Sequence, residues 1–274
     1  MKKLLLLLSI AGIAAGAYAQ GVVDNVVGFT RVEILPQKME ILSVHSFSNG
    51  SSDVSVQDVL EKSHLVGSLY WDNADKLDVW DATSQVYVRL GLYSRDGVNK
   101  YWAENSSRWG RLTPVTTNPY EATNTFFSRG SAVWLAKPST SVESSHAVTA
   151  GAVFDDATVS LALPPGISLI AHPYSASLPF TAISGASPTI YWDNAAKIQV
   201  WDSVGQKYLT LGFYGRGGAN LSYWAENSSR WGRLTPVTTN PYETTEVIEI
   251  GKGFWYTATS GDTVTFTKNY TLDN

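Results

Sequence analysis

Apolar and polar residues alternate in two neighbouring stretches of this chain, residues 76–81 and 86–93. One face collects the aliphatic side chains of both stretches, which are Leu77, Val79, Val88, Leu90 and Leu92. A period of two is typical of β-strands whose two faces meet different surroundings. A four-residue loop at residues 82–85 then predicts a hairpin with four cross-strand pairs: Trp80 with Tyr87, Val79 with Val88, Asp78 with Arg89 and Leu77 with Leu90.

The same pattern returns later in the chain and tests this register. The equivalent pairs are Trp201 with Tyr208, Val200 with Leu209, Gln199 with Thr210, and Ile198 with Leu211. The charged pair Asp78 and Arg89 has become the neutral pair Gln199 and Thr210. A joint change of this kind is expected if the two positions face each other, because an unpaired charge would be avoided.

Similar patterns predict further strands on both sides of these hairpins. They fall at residues 26–35, 39–47, 125–127, 131–136, 157–163, 167–174, 246–250 and 253–258. Residues 105–107 suggest the turn of another hairpin, and residues 56–62 a short helix. The pattern thus predicts an all-β fold of two tandem, internally duplicated antiparallel β-domains, residues 20–150 and 151–274. Each is a sandwich or a partly open barrel. Residues 138–145, rich in Ser and Thr, suggest a connection or an edge strand near the division.

The duplication is clearest in the aromatic residues. All 10 tryptophans form pairs 121 or 122 residues apart: Trp71 and Trp192, Trp80 and Trp201, Trp102 and Trp224, Trp109 and Trp231, Trp134 and Trp255. A stretch of 21 residues is identical at 101–121 and 223–243. Since the flanking segments differ, either recent sequence exchange homogenised this stretch or the same surface is needed in both places.

The first 19 residues have the composition of a secretory signal. Lys2 and Lys3 provide the basic start, residues 4–15 the apolar run, and Ala17 and Ala19 the small residues of a cleavage site before Gln20. The apolar run is short for a membrane span, and no other stretch approaches the length of a transmembrane helix. We therefore expect no integral membrane segment in the mature chain. We expect an exported protein that is periplasmic, extracellular or associated with the cell surface.

Composition limits how the domains are held together and what they bind. The chain has 0 cysteines, which excludes disulfides and leaves core burial to stabilise each domain. Removing Lys2 and Lys3 from the 20 basic residues leaves 18 against 24 acidic residues, a net charge near −6. Without a basic block, nucleic acid and anionic membranes are not expected partners.

The order of motifs in each copy resembles a family of uncharacterised secreted β-rich repeat proteins of Verrucomicrobia and related bacteria. The motifs are GFTRVEILPQKMEILSVHSF or its counterpart ALPPGISLIAHPY, then DKLDVWD, RWGRL, and a closing RGSAVWLAK or GKGFWYTA. The first copy departs from the family's Gly-x-Gly-Phe-Trp ending at residues 130–134. The resemblance implies an exported or envelope location in a Gram-negative bacterium and implies no activity.

The candidate binding residues are aromatic and lie opposite the aliphatic face of each hairpin: Trp80, Tyr87, Tyr93, Trp201, Tyr208 and Tyr214. That face also carries charged and amide residues in one copy or the other. If it is exposed, its flat rings suit the apolar faces of sugars. If another sheet or the Trp-rich segment covers it, the rings are core. The usual burial of Trp and Tyr favours the core interpretation.

The candidate catalytic residues are acids repeated in the two copies: Asp72 and Asp193, Asp81 and Asp202, Glu104 and Glu226. A pair of carboxylates is the minimum for a glycoside hydrolase, although Asp at a strand end is more often a turn former. The chain shows no metal-ligand spacing of His, no nucleotide loop and no serine elbow. We therefore expect no cofactor and no metal.

These observations predict an exported, non-enzymatic envelope or surface protein. Its tandem Trp-rich modules are expected to serve a structural or binding role, with glycan or further copies of the same chain as partners. The alternative is a carbohydrate-active enzyme that uses the duplicated acids. Duplication favours binding, because two weak sites on one chain reinforce each other through effective concentration.

Overall fold

The computed structural model describes residues 27–43, 54–57, 63–94, 96–104, 126–152, 156–185, 188–215, 222–226 and 247–270. The first copy contributes strands β1 (Val27–Ile34), β2 (Met39–Ser43), β3 (Val54–Ser55), β4 (Lys76–Asp81), β5 (Val86–Ser94), β6 (Lys100–Glu104), β7 (Phe126–Phe127), β8 (Ala132–Ala136) and β9 (Ser145–Ala152). Three-residue 3-10 turns lie at Trp71–Asn73, Phe180–Ala182 and Trp192–Asn194.

The second copy contributes strands β10 to β19. They are β10 (Thr158–Leu163), β11 (Gly166–Ile170), β12 (Leu178–Pro179), β13 (Ile183–Ser184), β14 (Lys197–Asp202), β15 (Lys207–Gly215), β16 (Ser222–Glu226), β17 (Val247–Ile248), β18 (Phe254–Ala258) and β19 (Asp262–Thr267).

Each copy is built around a five-stranded antiparallel sheet, with order β2-β8-β4-β5-β6 in the first copy and β11-β18-β14-β15-β16 in the second. A smaller sheet packs on one face of each: β1-β9 in the first copy and β10-β19-β13 in the second. The fold is all-β, as the alternation predicted, and it is sandwich-like, which the alternation had left open against a partly open barrel.

The layers of each sandwich enclose a separate apolar core. In the first copy, Val32 and Ile34 of the small sheet pack with Leu77, Leu90 and other aliphatic residues of the large sheet. The second core is more aromatic and includes Tyr174, Phe180, Phe213, Trp224, Phe254, Tyr256 and Phe266. Burial of these cores is what stabilises a chain without disulfides.

Both hairpin registers predicted from the sequence are confirmed. Trp80 lies opposite Tyr87 and Asp78 opposite Arg89, and Trp201 lies opposite Tyr208 in the second copy. The Asp78 Oδ2 to Arg89 Nε distance is 3.4 Å, and Gln199 Nε2 donates to Thr210 Oγ1 at 3.4 Å. The charged and the neutral pair therefore occupy the same place in the two sheets.

Other strand predictions differ in extent. Residues 26–35, 131–136 and 253–258 match β1, β8 and β18 closely, whereas β11 ends at Ile170 and β17 at Ile248, earlier than predicted. Strands β9 and β19 were not predicted as such; β9 is rich in Ala, Ser and Thr, whereas β19 alternates Thr with Val264 and Phe266 and this alternation was not used. β9 pairs with β1 along its whole length and runs across the predicted domain boundary.

Several predictions lie outside the described residues. These are the signal segment, the turn at residues 105–107 and most of the repeated 21-residue stretch, of which 101–104 and 223–226 are described. Of the predicted helix, the described part is helical at residues 56–57. In the portion of the chain that the structure covers, no helix has the length and apolar character needed to cross a membrane.

Candidate functional site

The two copies are joined by a reciprocal pair of tryptophan hydrogen bonds. Trp80 donates its indole N–H to the backbone carbonyl of Ile167 at 2.8 Å, and Trp201 donates to the carbonyl of Met39 at 2.9 Å. Met39 and Ile167 are equivalent, because each lies two residues before the partner of a repeated tryptophan, Trp134 or Trp255. The contact therefore has the two-fold character of a symmetric dimer, here formed within one chain.

Ring contacts follow the same symmetry. The ring centroids of Trp80 and Trp255 lie 5.2 Å apart, as do those of Trp134 and Trp201, both edge to face. With the apolar residues around them, these rings form a buried cluster that draws on both copies. We call it the interface cluster: Met39, Ile41, Trp80, Ala132, Trp134, Leu169, Ala171, Trp201 and Trp255. Edge-to-face aromatic pairs stabilise a contact beyond the apolar area that they bury.

Backbone hydrogen bonds run beside the interface cluster. Ser43 N–H donates to the carbonyl of Gly251 at 2.8 Å, and Ala171 N–H donates to the carbonyl of Gly130 at 2.8 Å. Both glycines have positive φ, 84° at Gly130 and 82° at Gly251. A Cβ at Gly130 would press on Leu161, and one at Gly251 on Val32. Glycine is thus required twice for the same turn.

Four of the six candidate binding residues lie at this interface. Trp80 and Trp201 are half-buried in the cluster, and Tyr87 and Tyr208 pack on them with ring centroids 4.8 and 4.9 Å away. Trp255 donates its indole N–H to the Tyr208 hydroxyl at 3.2 Å. Burial raises the pKa of Tyr87 to about 12 and also raises that of Tyr208. The other copy covers much of Trp80 and Trp201, whereas Tyr87 and Tyr208 at the edge of the interface remain 36% and 40% exposed.

The remaining two candidates, Tyr93 and Tyr214, lie elsewhere and are 3% and 1% exposed. Tyr93 packs with Trp71 and Tyr101 at the far end of the first sheet, and Tyr214 with Trp192 and Tyr223 at the equivalent place in the second. They support two repeat-end surfaces: Tyr70, Trp71, Lys76, Tyr93 and Tyr101 in one copy, and Tyr191, Trp192, Lys197, Tyr214 and Tyr223 in the other.

Each repeat-end surface combines exposed rings with a lysine. Tyr70 is 49% and Tyr191 51% exposed. The Lys76 ammonium lies 5.8 Å from the centre of the Trp71 ring, and the Lys197 ammonium 5.5 Å from that of Trp192. Burial lowers the pKa of both lysines, and the exposed Asp72 and Asp193 carboxylates act in the opposite direction. The surfaces thus offer rings, a cation and a carboxylate side by side.

A short repeated segment of the sequence indicates these surfaces, although the hairpin alternation does not include it. The segment Tyr-Trp-Asp-Asn-Ala is identical at residues 70–74 and 191–195. In each copy it folds as the 3-10 turn and meets the start of the identical 21-residue stretch, since Trp71 clusters with Tyr101 and Trp192 with Tyr223. Two segments that the copies share unchanged therefore lie together in space.

The duplicated acids at the ends of β4 and β14 form turns. Asp81 Oδ1 accepts backbone hydrogen bonds from Thr83 and Ser84 at 2.9 and 3.2 Å. Asp202 Oδ1 accepts from Val204 and Gly205 at 3.0 and 2.9 Å. Hydrogen bonding in the turn lowers the pKa of both carboxyls. This is the turn-forming role that the sequence suggested as the alternative to catalysis.

The other duplicated acids occupy strand ends and turns. Asp72 and Asp193 are exposed within the 3-10 turns, and Glu104 and Glu226 end β6 and β16. Among the residues that the structure describes, no group of three His, Asp or Glu side chains comes together as a metal site would require.

Comparison with family models, curated proteins and solved structures found no protein that matches this chain.

Proposed function

We propose that this chain is an exported, non-enzymatic protein that binds glycan through its two repeat-end surfaces. One observation carries the proposal: the Tyr-Trp-Asp-Asn-Ala turn and the start of the 21-residue repeat meet in one aromatic cluster in each copy. If the same surface is needed twice, selection on it accounts for segments that stay identical while their flanks differ.

The chemistry of these surfaces suits a sugar. An exposed tyrosine ring and a partly exposed tryptophan offer flat apolar area against which the C–H face of a pyranose can pack. The neighbouring lysine, together with the exposed Asp72 and Asn73 or Asp193 and Asn194, supplies hydrogen-bond donors and acceptors for hydroxyl groups. Neither surface carries a cluster of basic residues, so a polyanion is not the expected ligand.

The interface cluster gives this arrangement its geometry. Trp80, Trp134, Trp201 and Trp255 pack the two copies against each other, which keeps one repeat-end surface at a constant separation from the other. A fixed separation raises the effective concentration of the second site once the first is occupied. Weak individual sites then suffice for firm retention on a polymer that repeats the same sugar.

Binding is favoured over hydrolysis because one pair of the duplicated acids forms turns. Asp81 and Asp202 hold turns through backbone hydrogen bonds, and their lowered pKa values are the opposite of what a general acid needs. Export is proposed from residues 1–19, and an envelope or surface location agrees with the family that the motifs resemble.

The test is retention of the mature chain, residues 20–274, on insoluble cellulose, chitin, xylan and peptidoglycan. We expect retention on at least one of them, and loss of that retention in the double variant Tyr70→Ala, Tyr191→Ala. Phe29→Ala is the matched control, because Phe29 is 75% exposed and lies outside both surfaces. Loss in the control as well would mean non-specific aromatic adsorption.

Two further readouts separate the alternatives. Sedimentation velocity without polysaccharide detects self-association; oligomers that disappear in the Tyr70→Ala, Tyr191→Ala variant would make a second copy of the chain the partner instead of glycan. Assay of new reducing ends detects hydrolysis, and their release by the wild-type chain would overturn the non-enzymatic assignment.

A further inference from the structure

The symmetry of the interface between the copies is broken at two pairs of equivalent positions. Glu40 of β2 and Ser168 of β11 are equivalent, because they lie opposite the residues that follow Trp134 and Trp255. Lys252 and Ser131 are equivalent in the same way, since each forms an isolated bridge to the outermost strand of the other copy. One half of the interface thus holds an acid and a base where the other holds two serines.

The first half is filled by its ion pair. The Lys252 ammonium contacts the Glu40 carboxylate, whose side chain is 2% exposed. The pair occupies the space between the edge of β2 and the turn that precedes β18. Side chains long enough to meet across this space leave little room for a ligand.

The second half opens into a cleft of about 660 Å³, within the range of small-molecule sites. Ser168 lines this cleft and is 2% exposed, and its hydroxyl has no hydrogen-bond partner among the described residues. A buried hydroxyl without a partner is destabilising unless something else supplies the hydrogen bond. Because Ser168 lines the cleft, a side-chain rotation that turns its hydroxyl toward a bound ligand would supply that partner.

The lining combines apolar residues with a smaller number of hydroxyl side chains. Leu161, Leu163 and Leu169 form apolar wall, Trp80 adds an aromatic edge, and serines 128, 131 and 160 add hydroxyls. The one cation on the lining, Arg129, is neutralised by Asp156, with Nη1 to Oδ2 at 3.0 Å. A net-neutral cleft with aliphatic, aromatic and hydroxyl groups fits a neutral, hydroxyl-rich ligand that also has an apolar face.

We propose that this cleft binds one short neutral oligosaccharide per chain, with Trp80 and the leucines against its C–H face and the Ser168 hydroxyl as a buried hydrogen-bonding group. The site is separate from the two repeat-end surfaces and occurs once, because Glu40 and Lys252 occupy its counterpart. The cleft therefore binds one ligand per chain, whereas the duplicated repeat-end surfaces bind two.

The chain itself provides the variant that closes the cleft. The double change Ser131→Lys, Ser168→Glu installs the ion pair already present at Lys252 and Glu40. Titration calorimetry of the mature chain uses cellotetraose, chitotetraose, xylotetraose and maltotetraose as probes. We expect one strong site for at least one of them, and an affinity at least about tenfold weaker after closure. The variant Tyr70→Ala, Tyr191→Ala should keep this site, which separates its failure from failure of the proposed function.

Ser168→Ala gives a second test that does not depend on the ion pair folding correctly. It removes the buried hydroxyl without adding volume, so the chain should fold and bind the same sugar about three- to tenfold more weakly. Absence of binding to all four sugars would overturn the proposal, as would unchanged affinity in Ser168→Ala. Equal affinity in a folded Ser131→Lys, Ser168→Glu variant would also overturn it.

Discussion

The indole N–H of Trp80 donates to the backbone carbonyl of Ile167 across 87 positions of sequence, at 2.8 Å. Ile167 also pairs with the turn of the first hairpin, because its N–H donates to Gln85 Oε1 at 3.2 Å and its carbonyl accepts from Gln85 Nε2 at 2.9 Å. Trp80 and Gln85 of the first hairpin thus hold Ile167 of the second copy in place.

This contact predicts that the two copies are energetically coupled. Trp80→Ala and Trp255→Ala remove rings from different copies that lie 5.2 Å apart. Trp255→Ala, at a buried ring, should cost about 3 to 5 kcal/mol of unfolding free energy, and Trp80→Ala should cost less because Trp80 is half-buried. The double variant should deviate from additivity by about 0.5 to 3 kcal/mol. Chemical denaturation of the four proteins measures this. Trp80→Ala with Tyr93→Ala, from separate clusters, is the control and should be nearly additive.

A second prediction concerns a buried ion pair that only the first copy has. Lys137 Nζ lies 3.1 Å from Asp75 Oδ1, with both side chains at most 1% exposed. Lys137 Nζ also donates to Ser145 Oγ at 2.6 Å, and Ser145 Oγ to Asp75 Oδ2 at 3.0 Å. The second copy has Ala196 and Ala258 at the corresponding positions, both buried.

Removing one partner of this pair leaves a buried charge, so Asp75→Ala or Lys137→Ala should each cost about 3 to 5 kcal/mol. The double variant Asp75→Ala, Lys137→Ala copies the second module and should recover most of that loss. Urea denaturation distinguishes the cases. A double variant as unstable as the less stable single variant would contradict the prediction, because it would show that two alanines do not replace the ion pair in the first copy.

A third prediction is a pH dependence that comes from His172. Its imidazole is 0% exposed, and burial lowers its pKa to about 4. The unfolded chain takes up a proton near pH 6.5 while the folded chain does not, so stability is full above about pH 6.5. It falls as the pH drops toward 4, by about 3 kcal/mol in total.

Comparison of His172→Leu with the wild-type chain between pH 4 and 8 isolates this contribution. The stability difference between the two proteins should change with pH in that window and stay constant above it. His64→Leu, at an exposed histidine, is the matched control for the exchange of an imidazole for leucine. A pH-independent difference between wild type and His172→Leu would contradict the assignment.

A fourth prediction concerns export. Expressed in a Gram-negative host, the chain should be recovered outside the cytoplasm with Gln20 as its first residue, because Ala17 and Ala19 are the small residues that cleavage requires. N-terminal sequencing reads this directly. Ala19→Asp should block processing. Recovery of wild-type protein that still begins at Met1 would remove the basis for export.

The sequence predicted the hairpins well because the same hairpin pattern occurs in both copies. The change from Asp78 and Arg89 to Gln199 and Thr210 tested the register within one chain, and the structure pairs these residues as expected. What covers the aromatic face was not predictable in detail. Trp80 and Trp201 donate to backbone carbonyls of the other copy. Because every residue has a backbone carbonyl, the sequence does not show which one accepts the hydrogen bond.

The repeat-end surfaces were missed for a different reason. Tyr93 and Tyr214 were grouped with Trp80 and Trp201 because alternation places them on one face of the sheet. The face is divided along its length, however, since Tyr93 packs under the Tyr-Trp-Asp-Asn-Ala turn and Trp80 packs against the other copy. Alternation gives the face of a residue and not its neighbours from distant segments. The identity of residues 70–74 with 191–195 was the usable signal.

The most direct test of the central claim compares one repeat-end surface with two. Tyr70→Ala, Tyr191→Ala and the double variant are measured on the insoluble polysaccharide that retains the wild-type chain. If the surfaces act together, each single variant should lose about tenfold or more of the apparent affinity, and the double variant should not be retained. The melting temperature should stay nearly unchanged, since both tyrosines are about half exposed. Equal retention of all four folded proteins would contradict the account.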